Sequence, residues 1–246
     1  MTHRIISILF LVYMAVSSML LFLAALCIWG ATAWFDRRLV ALHMFTSFWA
    51  CLYIWSMPAW SLEIRGRHLL RKGATYVLVS NHQSQLDILV AFRLFFPFKW
   101  VSKEEVFRLP FIGWNMRLNR YIPIRRGDRQ SVRTMMTSCE RALRRGSSVY
   151  FFPEGTRSRT GHLKAFKTGA FSLARKMKVP IVPIAISGTR QALPKYSLNF
   201  HGRHRLRIKV LEEIGWGELE GMSDEQVAEW IQARIAAHVD PPSAAC

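Results

Sequence analysis

The sequence is poor in acidic residues, and its N-terminal part has little charge of either sign. Its 246 residues contain 34 Lys and Arg against 16 Asp and Glu, a formal net charge of +18. The first 62 residues have a net charge of +2, which leaves +16 on residues 63–246. The charged residues of the first part are Arg4, Asp36, Arg37 and Arg38. This asymmetry indicates an anionic partner, for which nucleic acid and membrane phosphate are the two candidates.

Metal-ligand spacing and an obvious nucleophile are also missing. Neither the four cysteines nor the eight histidines form a metal or redox pattern with each other or with acidic residues, so we expect no bound metal. The run that contains His201 and His204 is predicted to be a basic surface loop instead. No Ser or Cys stands in a pattern typical of covalent catalysis, and the chain has neither internal repeats nor a long linker.

Two long uncharged runs stand at the N-terminal end. Residues 5–35 include no Asp, Glu, Lys or Arg over 31 positions, and residues 39–62 include none over 24. Both runs exceed the roughly 20 residues that a helix needs to cross a bilayer, and the first is longer than the apolar core of a secretory signal, roughly 7 to 15 residues. We therefore predict a membrane-anchoring helical hairpin over residues 1–62. A soluble nucleic-acid binder would have no use for such a segment.

The charges between the two runs bear on how the hairpin enters the membrane. If both helices crossed it, Arg37 and Arg38 would lie on the side opposite the basic domain, against the positive-inside tendency. A shallow or tilted hairpin in one leaflet keeps all basic residues on one side and is slightly favoured, although full spanning stays open. In either case we expect the basic domain to lie on the cytoplasmic face, where anionic lipid attracts each well-placed Lys or Arg by about 1 kcal/mol.

From residue 63 onward, short apolar runs alternate with amphipathic ones, which is typical of an α/β fold. We predict a mixed, mostly parallel sheet flanked by helices over residues 63–240, followed by a flexible tail at 241–246. The predicted strands are 62–65, 74–80, 99–102, 121–124, 148–152, 181–187 and 205–211, and the predicted helices are 85–95, 113–118, 128–145, 169–176 and 223–238. Pro180 and Pro183 lie at the start of the sixth strand, and they favour an edge strand or a bulged start.

The stretch from Asn81 to Asp87 is the strongest candidate for chemistry. It joins a predicted buried strand to a predicted buried helix, so that His82 lies on the turn and Asp87 in the first turns of the helix. A histidine oriented by a carboxylate is a general base that needs no cofactor, because the carboxylate fixes the tautomer and stabilises the imidazolium. The pair alone is also compatible with a helix cap or an ordinary buried polar contact.

A second polar stretch follows the apolar run 148–152. Glu154, Gly155 and Arg157 come directly after Pro153, at a predicted strand end, where α/β sheets place their ligands. The planar fork of Arg157 suits a phosphate because it donates two parallel hydrogen bonds. A Glu and an Arg three residues apart are otherwise a common surface ion pair, and only their place at the sheet edge favours a binding site.

Two further basic positions are placed for an anionic ligand. Arg125 and Arg126 end the predicted strand 121–124. Lys167 lies just before the predicted helix 169–176, whose N-terminus is a candidate anion site. The remaining arginines after residue 128 recur at helical spacing and indicate a solvated or membrane-facing stripe.

The order of these motifs resembles the four sequence blocks of the glycerophospholipid acyltransferases, closest to the lysophosphatidate (1-acylglycerol-3-phosphate) acyltransferases. The blocks are Asn81-His82 with Asp87, Ile122-Pro123-Ile124-Arg125-Arg126, Phe152-Pro153-Glu154-Gly155-Thr156-Arg157, and Val179-Pro180-Ile181-Val182-Pro183. The resemblance covers residues 62–215. The second block commonly opens with a glycine, where this chain has Arg120. Counting to the final arginine of that block favours Arg126 over Arg125 as the functional match.

The resemblance implies transfer of an acyl chain from acyl-CoA or acyl carrier protein to the sn-2 hydroxyl of a lysophospholipid, without a cofactor. In that scheme His82 removes the hydroxyl proton and Asp87 orients the imidazole, while Arg126 and Arg157 hold the acceptor phosphate. The predicted substrate-binding residues are Arg125, Arg126, Glu154, Gly155, Thr156, Arg157 and Lys167.

Two alternatives remain beside lysophosphatidate acylation. A related acyltransferase or transacylase would share the His82 and Asp87 chemistry but act on another lysolipid, such as a lyso-ornithine lipid. A non-catalytic binder of anionic membranes would explain the charge and the hairpin, but it gives no reason for the four blocks to appear in family order. The expected partners are the bilayer, its anionic lipids and the two substrates, with acyl carrier protein as one candidate donor and no nucleic acid.

Overall fold

The computed structural model describes residues 2–158, 162–194 and 202–240, and only the backbone of residues 2–6. Within these ranges the strands are β1 (Trp60–Arg65), β2 (Val77–Ser80), β3 (Phe98–Lys103), β4 (Ile122–Ile124), β5 (Ser148–Phe151), β6 (Ile181–Ser187) and β7 (His204–Val210). The helices are α1 (Thr2–Thr32), α2 (Val40–Trp55), α3 (Leu86–Phe92), α4 (Ile112–Leu118), α5 (Arg129–Arg144), α6 (Gly169–Met177), α7 (Thr189–Ala192) and α8 (Asp224–Ala236). The predicted tail at 241–246 and His201 lie outside the described residues.

The strands form one sheet in the order β1-β7-β6-β2-β5-β3-β4. Every neighbouring pair is parallel except β6 and β7, which are antiparallel. The predicted fold class, a mixed and mostly parallel sheet flanked by helices, is confirmed. The carboxyl ends of β2, β3, β4, β5 and β6 therefore lie at one edge of the sheet, which we call the carboxyl edge.

Side chains alternate between two cores on opposite faces of the sheet, as the period of a strand requires. In β2, Leu78 packs on one face with residues of α2, α3 and α4, whereas Val77 and Val79 pack on the other with residues of α5, α6 and α8. We call the first face the hairpin face and the second the far face. Each core is fully covered, which is why β2, β5 and β6 read as continuous apolar runs.

The two apolar runs form different secondary structure. The first gives α1, of which Ser7–Thr32 is long and apolar enough to cross a membrane by length and composition. The second gives a helix of only 16 residues, because the end of that run forms β1. At about 1.5 Å per residue α2 is about 24 Å long, short of the roughly 30 Å hydrocarbon core of a bilayer. Of the two runs, only the first therefore forms a helix that is long enough to cross.

Helix α2 is also held to the sheet domain by buried polar contacts. His43 Nδ1 lies 2.9 Å from the Tyr121 hydroxyl. The Thr46 hydroxyl accepts from the side-chain amides of Asn115 at 3.1 Å and Asn119 at 3.0 Å. Polar groups that are buried together in this way would lose their partners if α2 moved away into lipid. One side of α2 therefore belongs to the packed interior of the protein.

A buried lysine joins the connection between α1 and α2 to the sheet. Lys99 is 6% exposed, and its Nζ donates to the backbone oxygens of Arg38 at 2.8 Å and Asn119 at 2.9 Å. Burial lowers the pKa of Lys99 to about 8. In the opposite direction, Arg38 Nη1 donates to the Gly146 carbonyl at 2.9 Å, beyond the end of α5. The hairpin connection is thus bonded to the domain from both sides.

The prolines of β6 correct one expectation. β6 lies between β7 and β2 in the middle of the sheet, so the prediction of an edge strand is wrong. The carbonyl of Pro183 accepts from Leu211 N, so the backbone polar groups of Pro183 point toward β7. The ladder between β6 and β7 has its last pair at Ile184 and Val210, one residue away from Pro183. Pro183 is tolerated because it lies beyond this last pair. The missing N–H thus faces the end of the ladder instead of its middle.

Candidate active site

The candidate base lies on the turn that leaves β2 at the carboxyl edge. Asn81, the first residue of this turn, fixes it to the neighbouring strand, since its side-chain amide donates to the Ile186 carbonyl and its Oδ1 accepts from Ile186 N, both at 2.8 Å. The turn therefore cannot move without breaking two hydrogen bonds to β6. A rigid strand end of this kind holds a reacting group better than a free loop.

The structure brings His82 and Asp87 together as the sequence predicts. Asp87 Oδ2 lies 2.8 Å from His82 Nδ1, and the same oxygen accepts from the backbone N–H groups of Gln83 at 2.6 Å and Ser84 at 2.8 Å. Asp87 is fully buried, and His82 is 7% exposed. The carboxylate therefore directs the Nδ1 proton of the ring toward itself and leaves Nε2 as the nitrogen that can accept a proton.

Two contacts at this pair escape sequence reasoning. The ring of Phe152 stacks on the imidazole with centroids 3.9 Å apart and planes 15° apart, which limits rotation of the ring. The hydroxyl of Thr189, two residues beyond the end of β6, donates to Asp87 Oδ1 at 2.5 Å. Phe152 is 70 residues and Thr189 102 residues from its partner in the chain. The only hint in the sequence is that Phe152 is the last residue of one predicted strand and Thr189 lies two residues after another.

Glu154 joins the His82 turn to the loop after β5. Its Oε1 accepts from His82 N at 2.6 Å, and its Oε2 accepts from Lys164 N at 3.0 Å. Both carboxylate oxygens thus bind backbone N–H groups, so in this structure Glu154 holds two loops in place. Burial raises the pKa of Glu154 to about 7, although the two backbone N–H groups act in the opposite direction.

This buried carboxyl group predicts a pH-dependent stability. Because its pKa rises from 4.5 in the unfolded chain to about 7 in the folded one, the folded state binds the proton more tightly. The resulting stabilisation is fully present below pH 4.5 and is lost as the pH rises through about 7. The free energy of unfolding of the wild type minus that of Glu154→Gln is the quantity to compare. This difference should fall by about 3 kcal/mol as the pH rises across this window. Denaturant titrations at several pH values measure it, with Glu225→Gln on the exposed start of α8 as the matched control. A difference that does not change with pH would contradict the assignment.

The other residues of the third block lie around the same turn. Gly155 has a φ of +69°, and a Cβ added to it would lie 3.1 Å from Lys167 Cε, so that the Lys167 side chain crosses directly over this glycine. Lys167 N also donates to the Pro153 carbonyl at 3.0 Å. Thr156 and Arg157 are half-buried directly after the glycine. Lys167 is therefore brought to the strand end that carries Arg157.

The second-block arginines are separated by their surroundings. Arg125 Nε donates to Glu104 at 3.0 Å and its Nη1 to Asp128 at 3.4 Å, so that its charge is balanced by two carboxylates. Partial burial lowers the pKa of Arg126, and the nearby positive charge of Arg157 lowers it further, although Glu105 raises it. Arg126 follows β4 and Arg157 follows β5, with β3 between the two strands. Two guanidinium groups whose charges affect each other in this way form an arrangement that a bound anion would stabilise.

Comparisons with known proteins agree with this geometry. The model of the Acyltransferase family matches residues 61–187, which include β2 to β6, nearly all of β1 and every predicted catalytic and substrate-binding residue, but not Thr189. The chain is 37% identical over 193 residues to a chloroplastic 1-acyl-sn-glycerol-3-phosphate acyltransferase, BAT2 of Brassica napus, covering 78% of this chain and 56% of that one. It is 34% identical over 162 residues to the 1-acyl-sn-glycerol-3-phosphate acyltransferase of Saccharomyces cerevisiae, covering 64% and 52%.

The similarity extends to a solved structure. The crystal structure of the 1-acyl-sn-glycerophosphate acyltransferase PlsC from Thermotoga maritima superposes with a TM-score of 0.78 at 20% identity, over 96% of this chain and 95% of that one, which shows a shared fold. The chain spans about half the length of the curated relatives it matches. Three of the four motifs lie at the carboxyl edge of the sheet, and the fourth forms the start of β6. Because the family model covers more than half of the sequence, this chain belongs to the Acyltransferase family.

Proposed function

We propose that the chain transfers an acyl chain from an acyl thioester to the sn-2 hydroxyl of 1-acylglycerol-3-phosphate and so forms phosphatidate. The observation that carries this proposal is the His82 and Asp87 pair on a rigid turn at the edge of the sheet that also carries Arg126 and Arg157. The names of the similar enzymes support the choice of acceptor. Phosphatidate formation makes the chain an enzyme of phospholipid synthesis.

The proposed chemistry needs one base and no covalent enzyme intermediate. His82 Nε2 takes the proton of the acceptor hydroxyl while the oxygen attacks the thioester carbonyl carbon. The C–S bond then breaks, and the leaving thiolate takes the proton back from the imidazolium. Asp87 stabilises the imidazolium throughout because its carboxylate bonds Nδ1 at 2.8 Å. The proton and the electron pairs balance within the two substrates and His82.

Arg126 and Arg157 would bind the acceptor phosphate between them. A phosphate monoester carries close to two negative charges at neutral pH, which matches two guanidinium groups. Lys167 and the backbone around Gly155 lie at the same strand end and would complete this pocket, while Glu154 fixes the loops that form it. Arg125, whose charge is already balanced by Glu104 and Asp128, has a smaller part in this arrangement.

A panel of substrates tests the proposal. Purified protein in vesicles is given labelled acyl-CoA or labelled acyl carrier protein together with 1-acylglycerol-3-phosphate, a lysophospholipid with a larger head group, a lyso-ornithine lipid or a monoacylglycerol. We expect kcat/KM to be highest for 1-acylglycerol-3-phosphate, and the two labelled donors compare CoA with carrier protein directly. A preference for an acceptor without phosphate would contradict the roles of the arginines. Vesicle binding without transfer to any acceptor would favour the non-catalytic alternative.

We also propose that the protein lies on the cytoplasmic face with α1 in one leaflet. Phe22, near the middle of α1, contacts Phe111 and Trp114 at the start of α4, with ring centroids 6.1 and 5.5 Å apart. If α1 crossed the bilayer upright, this middle would carry α4 and its exposed Arg117 into the hydrocarbon, which is costly. A shallow helix instead places one apolar surface against lipid. The exposed members of this surface include Leu9, Val12, Val16, Leu20, Leu23, Leu109, Ile112 and Trp114.

Tryptophan quenching measures which surface enters the lipid. Trp114 is 44% exposed beside α1, and Trp216 is 43% exposed among the elements of the far face. In vesicles that contain brominated lipids, Trp114→Phe should remove a strongly quenched part of the emission, because Trp114 lies in the acyl region. The matched variant Trp216→Phe should remove an unquenched part. The opposite pattern would place the far face on the membrane and overturn the proposed orientation.

A further inference from the structure

Thr189 donates a hydrogen bond to Asp87 on the buried side of the candidate site, and this bond has no role in the chemistry proposed above. Its hydroxyl is the one side-chain donor to Asp87 Oδ1 among the described residues, at 2.5 Å, and Thr189 is fully buried. The other carboxylate oxygen already accepts from His82 Nδ1 and from two backbone N–H groups. Thr189 therefore occupies the side of the carboxylate that faces away from the imidazole.

The chain is shaped to bring this hydroxyl to the carboxylate. β6 ends at Ser187, and Gly188 follows with a φ of +82°. A Cβ at Gly188 would lie 2.1 Å from the Arg205 carbonyl oxygen, so that no other residue fits this turn without displacing β7. The turn sends Thr189 back toward the His82 turn instead of onward into solvent. Such a constrained backbone at a strand end is typical of a functional position.

A second bond fixes the same segment. The Ser84 hydroxyl, on the His82 turn, donates to the Leu193 carbonyl just after α7 at 2.6 Å. Together with the Asn81 bonds to Ile186, the His82 turn is attached to the end of β6 and its continuation at three places. Helix α7 is thus attached to the region of His82 and Asp87 at both ends, by Thr189 at its start and by Leu193 just after its end.

We propose that Thr189 is a positioning residue for the catalytic pair: its hydroxyl holds Asp87 so that Oδ2 faces His82 Nδ1. With only Oδ2 anchored, the carboxylate could rotate about its Cβ–Cγ bond and lose its alignment with the ring. The hydroxyl also stabilises the negative charge of a carboxylate that has no access to water. This inference rests on the proposed function, because it assigns to Thr189 a role in the base reaction of His82.

The test compares substitutions at Thr189 with the same substitution at another buried threonine. Thr189→Val keeps the shape and removes the hydroxyl, and Thr189→Ser keeps the hydroxyl and removes the methyl group. Thr46→Val is the matched control, since Thr46 is also buried and accepts from two amides, but lies on α2 away from the site. A loss of stability alone should affect both Val variants, whereas a role in catalysis should affect only Thr189→Val.

We expect kcat of Thr189→Val to fall about 10- to 100-fold with little change in KM for either substrate, as for the loss of one hydrogen bond to a charged group. The acid limb of its pH–rate profile should move to higher pH, because the buried carboxylate loses a donor that stabilises its charge. Thr189→Ser should restore both values, and Thr46→Val should leave the acid limb unchanged. If Thr189→Val does not fold, Thr189→Ala removes the same hydroxyl in a smaller side chain.

Two results would overturn the inference. One is an acid limb in Thr189→Val, or in Thr189→Ala, that coincides with the wild type. The other is a Thr189→Ser variant that is as slow as Thr189→Val, since the hydroxyl would then be irrelevant. His82→Ala, assayed beside them, separates the hypotheses. Full activity in that variant removes the base role of His82 on which this inference rests, and a wild type without transfer activity removes the proposed function itself. An inactive His82→Ala together with an unchanged acid limb in Thr189→Val removes the role of Thr189 alone.

Discussion

Replacing His82 by Ala is expected to lower kcat for acyl transfer by about 10³-fold, because the variant lacks the proposed base for the hydroxyl proton. Asp87→Asn should lower kcat by about 10²- to 10⁴-fold, since an amide can present a donor to Nδ1 and so favour the wrong tautomer. Binding of either variant to vesicles should stay at the wild-type level. Initial rates with saturating substrates and vesicle flotation of the same preparations measure both expectations.

The control for this experiment is His68→Ala. His68 lies in an exposed turn after β1, so its loss should leave the rate unchanged. Circular dichroism establishes whether the variants keep their fold, which matters most for Asp87, because its carboxylate accepts four hydrogen bonds. A folded His82→Ala protein with normal transfer activity would remove the base mechanism, whatever the acceptor.

Removing the charge of Arg157 or Arg126 is expected to raise KM for 1-acylglycerol-3-phosphate by about 10- to 100-fold, the usual effect of losing a hydrogen bond to a charged group. The activity toward an acceptor without phosphate should hardly change, because such an acceptor has no anion to lose. Arg157→Ala and Arg126→Ala are compared on both acceptors by steady-state kinetics. The ratio of the two kcat/KM values then reports phosphate recognition directly.

Arg125→Ala is the matched control for these variants. Arg125 is adjacent to Arg126 but is paired with Glu104 and Asp128, so we expect a change in KM of less than about 3-fold, as for an exposed ion pair. This comparison decides which arginine of the second block binds the phosphate. A larger effect in Arg125→Ala than in Arg126→Ala would reverse the assignment, and equal losses on both acceptors would rule out a phosphate pocket.

The base and its carboxylate could be predicted from the sequence because they are local. His82 and Asp87 are five residues apart, and a strand followed by a helix leaves the intervening turn few ways to fold. The seven strands could be predicted to within three residues at each end, because most are short apolar runs, and β1 and β7 alternate polar with apolar residues. Their order in the sheet could not, because the pairing of β2 with β5 and β6 joins segments that are about 70 to 100 residues apart.

The contacts that hold the pair in place depend on that order. Phe152 reaches the imidazole, and Thr189 reaches Asp87, only because β5 and β6 flank β2. The same holds for Glu154, whose sequence position suggests a ligand contact but whose carboxylate binds backbone N–H groups from two loops. The apolar run at residues 39–62 shows the converse limit: composition indicates its hydrophobicity but not that its end pairs with β7 as a strand.

The buried Lys99 beneath the hairpin connection has a consequence for how substrate arrives. Because its ammonium bonds the Arg38 carbonyl, and Arg38 in turn bonds the end of α5, the hairpin is not a tether on which the α/β part could swing. If α1 is embedded as we propose, His82 is kept at one height above the bilayer. His82 cannot move toward its substrate. Each lysolipid must therefore diffuse laterally to the site, and its hydroxyl must rise to the height of His82 before it can react.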